Sequence, residues 1–167
     1  MTQSWDRIYT PHRLEYLRGA VTNEECPFCA APELNGSDTL DLVAHRGQLA
    51  YVVLNLYPYN AGHLLICPYR HVADYTELTN AERDEISRLT QESMHTLRAI
   101  SGAQGFNLGM NQGSISGAGI AAHLHQHVVP RWGGDANFMP IIGETKVLPQ
   151  LLTQTRDQLQ EGWISSH

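Results

Sequence analysis

The segment His123–Val129 constrains the fold of this chain more than any other part of the sequence. It reads His-Leu-His-Gln-His-Val-Val, so every second residue over its first five positions is a histidine. In a β-strand, side chains at positions i, i+2 and i+4 lie on the same face of the sheet. The segment therefore predicts a strand with three imidazole rings on one face and Leu124 and Val128 on the other.

Three aligned imidazoles beside a loop of small residues at 111–119 indicate chemistry rather than ordinary core packing. The spacing leaves two forms of that chemistry open. One is a catalytic metal ion bound by the His-x-His pattern, and the other is an imidazole nucleophile whose ring is oriented by its neighbours.

Four further apolar runs are separated by turn-forming residues, which is typical of antiparallel strands. They are Leu40–Ala44, Leu49–Leu54, His63–Pro68 and Gly105–Met110. With the histidine strand they predict a five-stranded antiparallel sheet.

Apolar residues at helical spacing predict two helices that pack on this sheet. The long one covers Asn80–Ile100 and begins with a capping box of Thr79 and Glu82. A C-terminal helix is predicted over Lys146–Trp163, with Pro149 in its first turn. A short helix over Pro11–Gly19 completes an α+β fold.

A length of 167 residues favours one domain over 1–167. We divide it into an N-terminal helix and knuckle at 1–35, a core at 36–132 and a C-terminal extension at 133–167. The formal net charge of −6 without any basic run excludes a nucleic-acid backbone as the expected partner. No apolar stretch approaches the roughly 18 residues of a membrane span, and charges within 1–20 argue against a signal peptide, so a cytoplasmic protein is expected.

Three cysteines are too few and too unevenly placed for a disulfide framework. Cys26 and Cys29 form a Cys-x-x-Cys pair, which serves redox chemistry and zinc binding alike. Cys67 lies within an apolar run and is predicted to be a core residue.

The histidine strand resembles the signature of the histidine triad (HIT) superfamily, His-φ-His-φ-His-φ-φ with φ apolar. Gly62–Pro68 resembles the Gly-His strand that precedes the triad in that family, and the resemblance covers 26–132. The stretch 132–152 is similar to a bacterial branch near the actinobacterial diadenosine tetraphosphate phosphorylases. Gln126 stands where the family has an apolar residue, so it needs a hydrogen-bond partner or an exposed position.

The resemblance implies a HIT fold and cleavage of nucleotide phosphoanhydrides through a covalent nucleotidyl-histidine. His125 matches the nucleophile, with a backbone carbonyl bonded to its other ring nitrogen. His127 matches the residue that contacts the transferred phosphate and the leaving oxygen. His63 is expected to support the triad by hydrogen bonding, or to be only structural.

The resemblance also implies substrate-binding residues, which are Asn55, Asn111, Gly117, Gly119 and His127. Asn55 has an alternative role as a turn-initiating residue. Ala118-Gly119-Ile120 replaces the family's Gly-Gln-Ser or Gly-Gln-Thr, so Ser114 or Ser116 would have to supply the missing hydroxyl. Tyr57 and Tyr59 are candidates for stacking on a base, although hairpin packing explains them equally well.

A structural zinc ion bound by Cys26, Cys29, His71 and His123 is the cofactor that the resemblance implies. Four protein ligands leave no position open for water or substrate. The expected partners are a small nucleotide, with diadenosine tetraphosphate as the leading substrate, and a second copy of the chain in a homodimer. Two alternatives remain: a zinc hydrolase with an open site at the triad, and a non-catalytic module that only binds nucleotide.

Overall fold

The computed structural model describes residues 26–34, 41–113, 115–135 and 149–166. The predicted helix at Pro11–Gly19 lies outside these ranges. The helices are α1 (Pro27–Ala30), α2 (Asn80–Ser101) and α3 (Leu152–Glu161), with short 3₁₀ turns at Ala31–Glu33 and Tyr75–Glu77. The strands are β1 (Val43–Arg46), β2 (Ala50–Leu54), β3 (Leu64–Pro68), β4 (Gly105–Met110) and β5 (Gln126–Arg131).

The five strands form one sheet in the order β1-β2-β3-β5-β4, and each neighbouring pair is antiparallel. Every residue of β2 and β3 is buried, because these strands lie in the middle of the sheet under α2. The α+β prediction of a five-stranded antiparallel sheet with a long helix and a C-terminal helix is confirmed.

The strand prediction over Leu40–Ala44 is displaced, since β1 begins at Val43 and continues through Arg46, while Leu40 lies outside the described residues. The turn that follows is shorter than the polar residues suggested. The Glu85 carboxylate accepts hydrogen bonds from the backbone N–H groups of Gln48, Leu49 and Ala50 and so closes the turn tightly. A carboxylate from a distant helix therefore sets this boundary.

The strand prediction over His123–Val129 is also displaced, because β5 begins at Gln126. His123 and His125 precede the strand, and only His127 belongs to it. The Leu124 N–H donates to the carbonyl of Val72 at 2.7 Å instead of joining the sheet. The alternation of faces persists, however, since Leu124 and Val128 belong to the apolar core while the rings of His125 and His127 contact each other.

Helix α2 agrees closely with its prediction. The Thr79 side chain accepts from the Glu82 N–H at 3.2 Å, and the Glu82 carboxylate accepts from the Thr79 N–H at 2.8 Å. This reciprocal capping box is encoded locally. The helix ends at Gly102, whose positive φ of 64° is favoured by glycine.

Helix α3 is shorter than the predicted Lys146–Trp163. Pro149 precedes the helix, because Leu151 has extended backbone angles, and residues 146–148 lie outside the described ranges. At the other end the helix stops at Glu161. Trp163 lies beyond it, stacks on His45 at a ring-centroid distance of 4.4 Å and donates its indole N–H to Glu92. Its apolar spacing reflects this packing rather than another helical turn.

Among the residues that the structure describes, no helix combines the length and hydropathy that crossing a bilayer requires. The division of the chain at residues 35/36 and 132/133 stays a prediction. The candidate site lies at the edge of the sheet where β3 and β5 begin and β4 ends. The predicted histidines and the glycine loop meet at this edge.

Candidate active site and metal centre

Four residues from three separate segments converge beside α1. The ligand atoms of Cys26, Cys29, His71 and His123 all lie within 4.8 Å of one another. Nδ1 of His123 is 3.4 Å from Sγ of Cys26 and 3.5 Å from Sγ of Cys29, and Nδ1 of His71 is 3.3 Å from Sγ of Cys29. Zinc–sulfur and zinc–nitrogen bond lengths put these atoms about 3.6 Å apart in a tetrahedron. The four predicted residues therefore fit a metal ion, and we call them the metal knuckle.

His123 is oriented as a metal ligand by a contact on its other nitrogen. Its Nε2 lies 2.9 Å from the carbonyl oxygen of Pro68, which only accepts hydrogen bonds, so Nε2 carries the proton and Nδ1 has a lone pair. Burial lowers the pKa of His123, with a smaller opposing effect of the Pro68 hydrogen bond. The neutral ring that a metal ligand requires is therefore favoured.

His125 is oriented in the same way for a different purpose. It is 6% exposed, and its Nδ1 lies 2.9 Å from the backbone carbonyl of His123. Nδ1 must donate, so the lone pair of the neutral ring is on Nε2. Burial lowers the pKa of His125 despite the opposing hydrogen bond to His123, which favours a neutral imidazole with nucleophilic character.

A chain of hydrogen bonds fixes the ring nitrogens of His63 and His127. The backbone N–H of Tyr59 donates to Nδ1 of His63 at 3.0 Å. His63 must therefore donate through Nε2, which is 2.9 Å from Nδ1 of His127. Since that Nδ1 accepts, neutral His127 carries its proton on Nε2. His63, which is fully buried, thus lies directly behind His127 and donates a hydrogen bond to it.

The rings of His63, His127, His125 and His123 form one continuous group, which we call the imidazole row. Ring centroids are 5.1 Å apart for His63 and His127, and 5.0 Å apart for His127 and His125. Phe28 of α1 closes the series, with centroid distances of 4.9 Å to His125 and 5.6 Å to His123. The row thus has a lone pair at His125 beside a proton at His127.

The loop between β2 and β3 covers one end of the row. The Tyr59 ring lies 4.7 Å from that of His63 and is stacked within 14° of parallel to that of His127, at 5.6 Å. The Asn55 side chain accepts from the Tyr57 N–H at 3.0 Å and lies 3.3 Å from Nδ1 of His63. Asn55 thus shapes the turn and contacts the imidazole row, and its binding of ribose or phosphate stays a prediction.

The small-residue loop leaves the sheet beside the triad. Met110, the last residue of β4, pairs with Gln126, so Asn111 begins the loop next to His125 and His127. Gly117 has a φ of 82° and is exposed, as is Gly119. The hydroxyl of Ser116 donates to the Gly113 carbonyl at 2.8 Å and closes a turn within the loop. Ser114, the other candidate for the missing hydroxyl, lies outside the described residues.

Gln126, which departs from the family pattern, has a hydrogen-bond partner. Its amide donates to the hydroxyl of Thr90 on α2 at 2.7 Å, so a polar pair joins β5 to the long helix where an apolar contact was expected. Cys67 is fully buried, which confirms the prediction that it is a core residue.

Sequence reasoning missed three contributors to this site. The Tyr59 N–H and the Pro68 carbonyl are main-chain groups, so no residue type indicates them. Phe28 is visible in the sequence between the two cysteines, but only the fold shows that its ring contacts His125.

The HIT domain family matches residues 41–134, which is more than half of the chain, and the chain belongs to this family. It is similar to the AP-4-A phosphorylase of Mycobacterium tuberculosis, with 47% identity over 165 residues that cover 94% of this chain and 84% of the relative. It also resembles a bifunctional bis(5'-adenosyl)-triphosphatase/adenylylsulfatase of Arabidopsis thaliana, at 33% identity over 56% of this chain and 51% of that protein. The prediction that the chain is an enzyme of the HIT family is confirmed at this level.

Solved structures agree on the fold. A Zn-bound histidine triad family protein from Mycobacterium smegmatis superposes with a TM-score of 0.66 at 22% identity, covering 83% of this chain and 92% of that one. A uridylyltransferase structure gives a TM-score of 0.69 at 14% identity, over 91% of this chain and 49% of that one. These likenesses support the fold.

Proposed function

We propose that this chain cleaves dinucleoside polyphosphates such as diadenosine tetraphosphate through a covalent nucleotidyl-histidine on His125. The observation that carries the proposal is the hydrogen bond from Nδ1 of His125 to the His123 carbonyl, because it leaves the Nε2 lone pair available for attack on phosphorus. The 47% identity to a phosphorylase of AP-4-A supports the substrate class.

In the first step, Nε2 of His125 attacks the α-phosphorus and the bond to the bridging oxygen breaks. The electrons of that bond pass to the leaving nucleotide, ATP when the substrate is diadenosine tetraphosphate. The Nε2–H of His127 donates a hydrogen bond to the leaving oxygen and stabilises the negative charge that develops there. The relay from Tyr59 through His63 supports this assignment, since it keeps the His127 proton on the nitrogen opposite Nδ1.

In the second step, an acceptor oxygen attacks the same phosphorus and His125 leaves as a neutral imidazole. Water as acceptor yields AMP, and inorganic phosphate yields ADP. We favour phosphate because the 47% identical relative is a phosphorylase. Asn111, Gly117 and Gly119 are proposed to bind phosphate oxygens, the glycines through backbone N–H groups that a substrate can approach closely. Asn55 is proposed to contact ribose or phosphate.

We propose that the metal knuckle holds zinc in a structural role. The donor set of two sulfurs and two ring nitrogens is one that zinc prefers, and all four positions are filled by protein. When bound, such an ion supplies a crosslink and no reactive ligand. The residues themselves tie the segment at 26–34 to the sheet.

The arrangement weighs against a metal hydrolase that uses all three triad histidines as ligands. Both ring nitrogens of His123 are directed elsewhere, one to the cysteines and the other to Pro68. Nδ1 of His127 is bonded to His63. A module that only binds nucleotide would not need a lone pair beside a proton donor, although turnover decides that alternative.

We further propose a homodimer and a cytoplasmic location. In the described ranges no strand pairs with the outer edge of β4, where Leu108 is 50% exposed, so this edge and α2 suit contact with a second copy. Cys26 and Cys29 act as ligands only when reduced, which fits a reducing compartment. Light scattering at micromolar concentration should give twice the chain mass, and a monomeric mass contradicts the dimer.

The test of the activity is product analysis after incubation with diadenosine tetraphosphate, with and without inorganic phosphate. ATP and ADP formed only with phosphate would establish phosphorolysis, whereas ATP and AMP would establish hydrolysis. A brief acid quench should also trap AMP on His125, identified by peptide mass analysis. Binding of the substrate without any product would contradict the proposal and favour the non-catalytic module.

A further inference from the structure

Phe28 connects the metal knuckle to the proposed nucleophile. It lies between Cys26 and Cys29 in the sequence, and it is the buried residue of α1, at 9% exposure. Its ring packs on His125 at 4.9 Å and on His123 at 5.6 Å. One of the two residues between the cysteines thus contacts the imidazole of His125 directly.

The position of Phe28 is determined from three sides. Metal ligands flank it at both ends of its short segment. Its carbonyl accepts a hydrogen bond from the Tyr51 hydroxyl at 2.6 Å, which anchors α1 to the central strand β2. Arg46 donates to the carbonyl of Pro32 at 2.8 Å and holds the chain that follows. A helix of four residues has little stability of its own, so these ties and the metal keep the ring in place.

His125 needs such a neighbour because one hydrogen bond orients an imidazole only modestly. Rotation about the terminal torsion of histidine is broad, and a ring turned over would carry Nδ1 away from the His123 carbonyl. His127 contacts His125 edge-on, at 68° between the ring planes. Phe28 supplies a further packing surface, tilted by 43° to the His125 ring.

We propose that Phe28 is a positioning residue for His125, held against the imidazole by the metal knuckle. Two of the constraints on the nucleophile, the His123 carbonyl and the Phe28 ring, then come from the metal-binding segments. A metal ion bound there would support catalysis without contact with the substrate. The inference rests on the proposed role of His125.

The test compares metal-loaded Phe28→Leu with metal-loaded Trp163→Leu. Trp163 is a suitable control because its ring also stacks on a histidine, His45, away from the imidazole row. Two measurements are made: the ring ¹⁵N spectrum of His125 without substrate, and the rate of the first turnover at saturating diadenosine tetraphosphate. Metal content is measured for each protein.

For Phe28→Leu we expect the two ring nitrogens of His125 to move towards averaged shifts, and the first turnover to slow by about tenfold to a hundredfold. Metal content should equal that of the wild type. Trp163→Leu should leave the spectrum and the first-turnover rate unchanged. Phe28→Met, a milder change in volume, should show the same pattern to a smaller extent and serves if Phe28→Leu does not fold.

The proposal is overturned if the Phe28 variants retain the wild-type spectrum and rate. It is also overturned if their losses follow a loss of metal, because Phe28 would then act by retaining the ion. If the wild type forms no nucleotidyl-histidine, the proposed function fails. The substrate-free spectrum still decides whether Phe28 orients the ring.

Discussion

The two ends of the imidazole row are held by different means. At the metal end, His123 lies among two cysteines and His71, and its orientation depends on ligands from distant parts of the chain. At the leaving-group end, His63 and His127 are oriented by the main chain of the β2–β3 loop, where Tyr59 is 39% exposed. One end therefore includes four residues that fit a metal ion, and the other is organised by backbone hydrogen bonds of the loop.

Because of this difference, we expect that mutations can impair the hydrogen-bond donor His127 and the nucleophile His125 independently. Loss of the ion should disturb His125 through the His123 carbonyl, but it should leave the bond between His63 and His127 intact. Changes in the loop should affect the hydrogen bond from His127 to the leaving oxygen without releasing metal.

The largest expected effect is at the metal end. Cys29→Ser should release the metal and lower the melting temperature sharply, because the binding free energy of structural zinc is on the order of 10 kcal/mol and contributes directly to folding. Elemental analysis and thermal unfolding measure both. Cys67→Ala is the control, since Cys67 is buried outside the knuckle and its loss should leave metal content unchanged. A wild-type protein that is stable without any metal would contradict the prediction.

The next effect separates the nucleophile from the metal. His125→Asn should reduce turnover by about a thousandfold or more because the attacking nitrogen is absent, while metal content and melting temperature stay near those of the wild type. His95→Asn on the exposed face of α2 is the matched control and should retain full activity. Near-normal turnover of His125→Asn would rule out the nucleotidyl-histidine.

The leaving-group end is tested by choice of substrate. His127→Ala should slow cleavage of diadenosine tetraphosphate by about a hundredfold, because the N–H that stabilises charge on the leaving oxygen is lost. The defect should grow with the basicity of the leaving oxygen, so it should be larger for the phenyl ester of AMP than for the 4-nitrophenyl ester. His125→Asn should impair both esters equally. A defect of His127→Ala that is the same for both esters would contradict a role at the leaving oxygen.

The smallest expected effect concerns Glu85, whose replacement should leave both ends of the imidazole row unchanged. Burial raises the pKa of Glu85, but hydrogen bonds from Gln48, Leu49 and Arg88 outweigh it, so the net pKa lies below the usual 4.5. The ionised carboxylate is therefore stabilised in the folded protein, a contribution present above about pH 4.5 and lost as the pH falls through the folded pKa. Glu85→Gln should lower stability by about 1–3 kcal/mol at neutral pH, because its amide meets backbone donors.

Denaturant unfolding at pH 7 and at low pH checks this prediction. The difference in the free energy of unfolding between wild type and Glu85→Gln should narrow as the solution is acidified. Asp84→Asn, on the exposed side of the same helix, should be nearly neutral at both pH values. A gap that does not depend on pH would show that the charge of Glu85 is not what holds the turn.

The sequence was most informative where the determinants are local. Thr79 and Glu82 are three positions apart and cap α2 as their spacing predicts. Local patterns failed where a distant group decides the outcome. The strand was predicted to begin at His123, but His123 contacts the cysteines and Pro68, and the Leu124 N–H bonds to Val72, so both residues lie outside the sheet.

The site shows the same division. The Cys-x-x-Cys pair is visible in the sequence, whereas His71 and His123 lie 42 and 94 positions from Cys29 and needed the family resemblance to be joined to it. The glycine loop was located, but its contacts with phosphate stay a prediction. No residue pattern could indicate the oriented carbonyls and amides, because every residue carries them.

Three ring orientations in the row depend on main-chain atoms: the Pro68 carbonyl for His123, the His123 carbonyl for His125 and the Tyr59 N–H for His63. Replacing a side chain leaves the main-chain groups of that residue in place, so most point mutations should leave the ring tautomers unchanged. A carbonyl can be displaced but never deleted by substitution. At position 59, only proline removes the donor. The proposed catalytic side chains can thus be lost by mutation. The main-chain groups that determine which ring nitrogen carries the proton largely cannot.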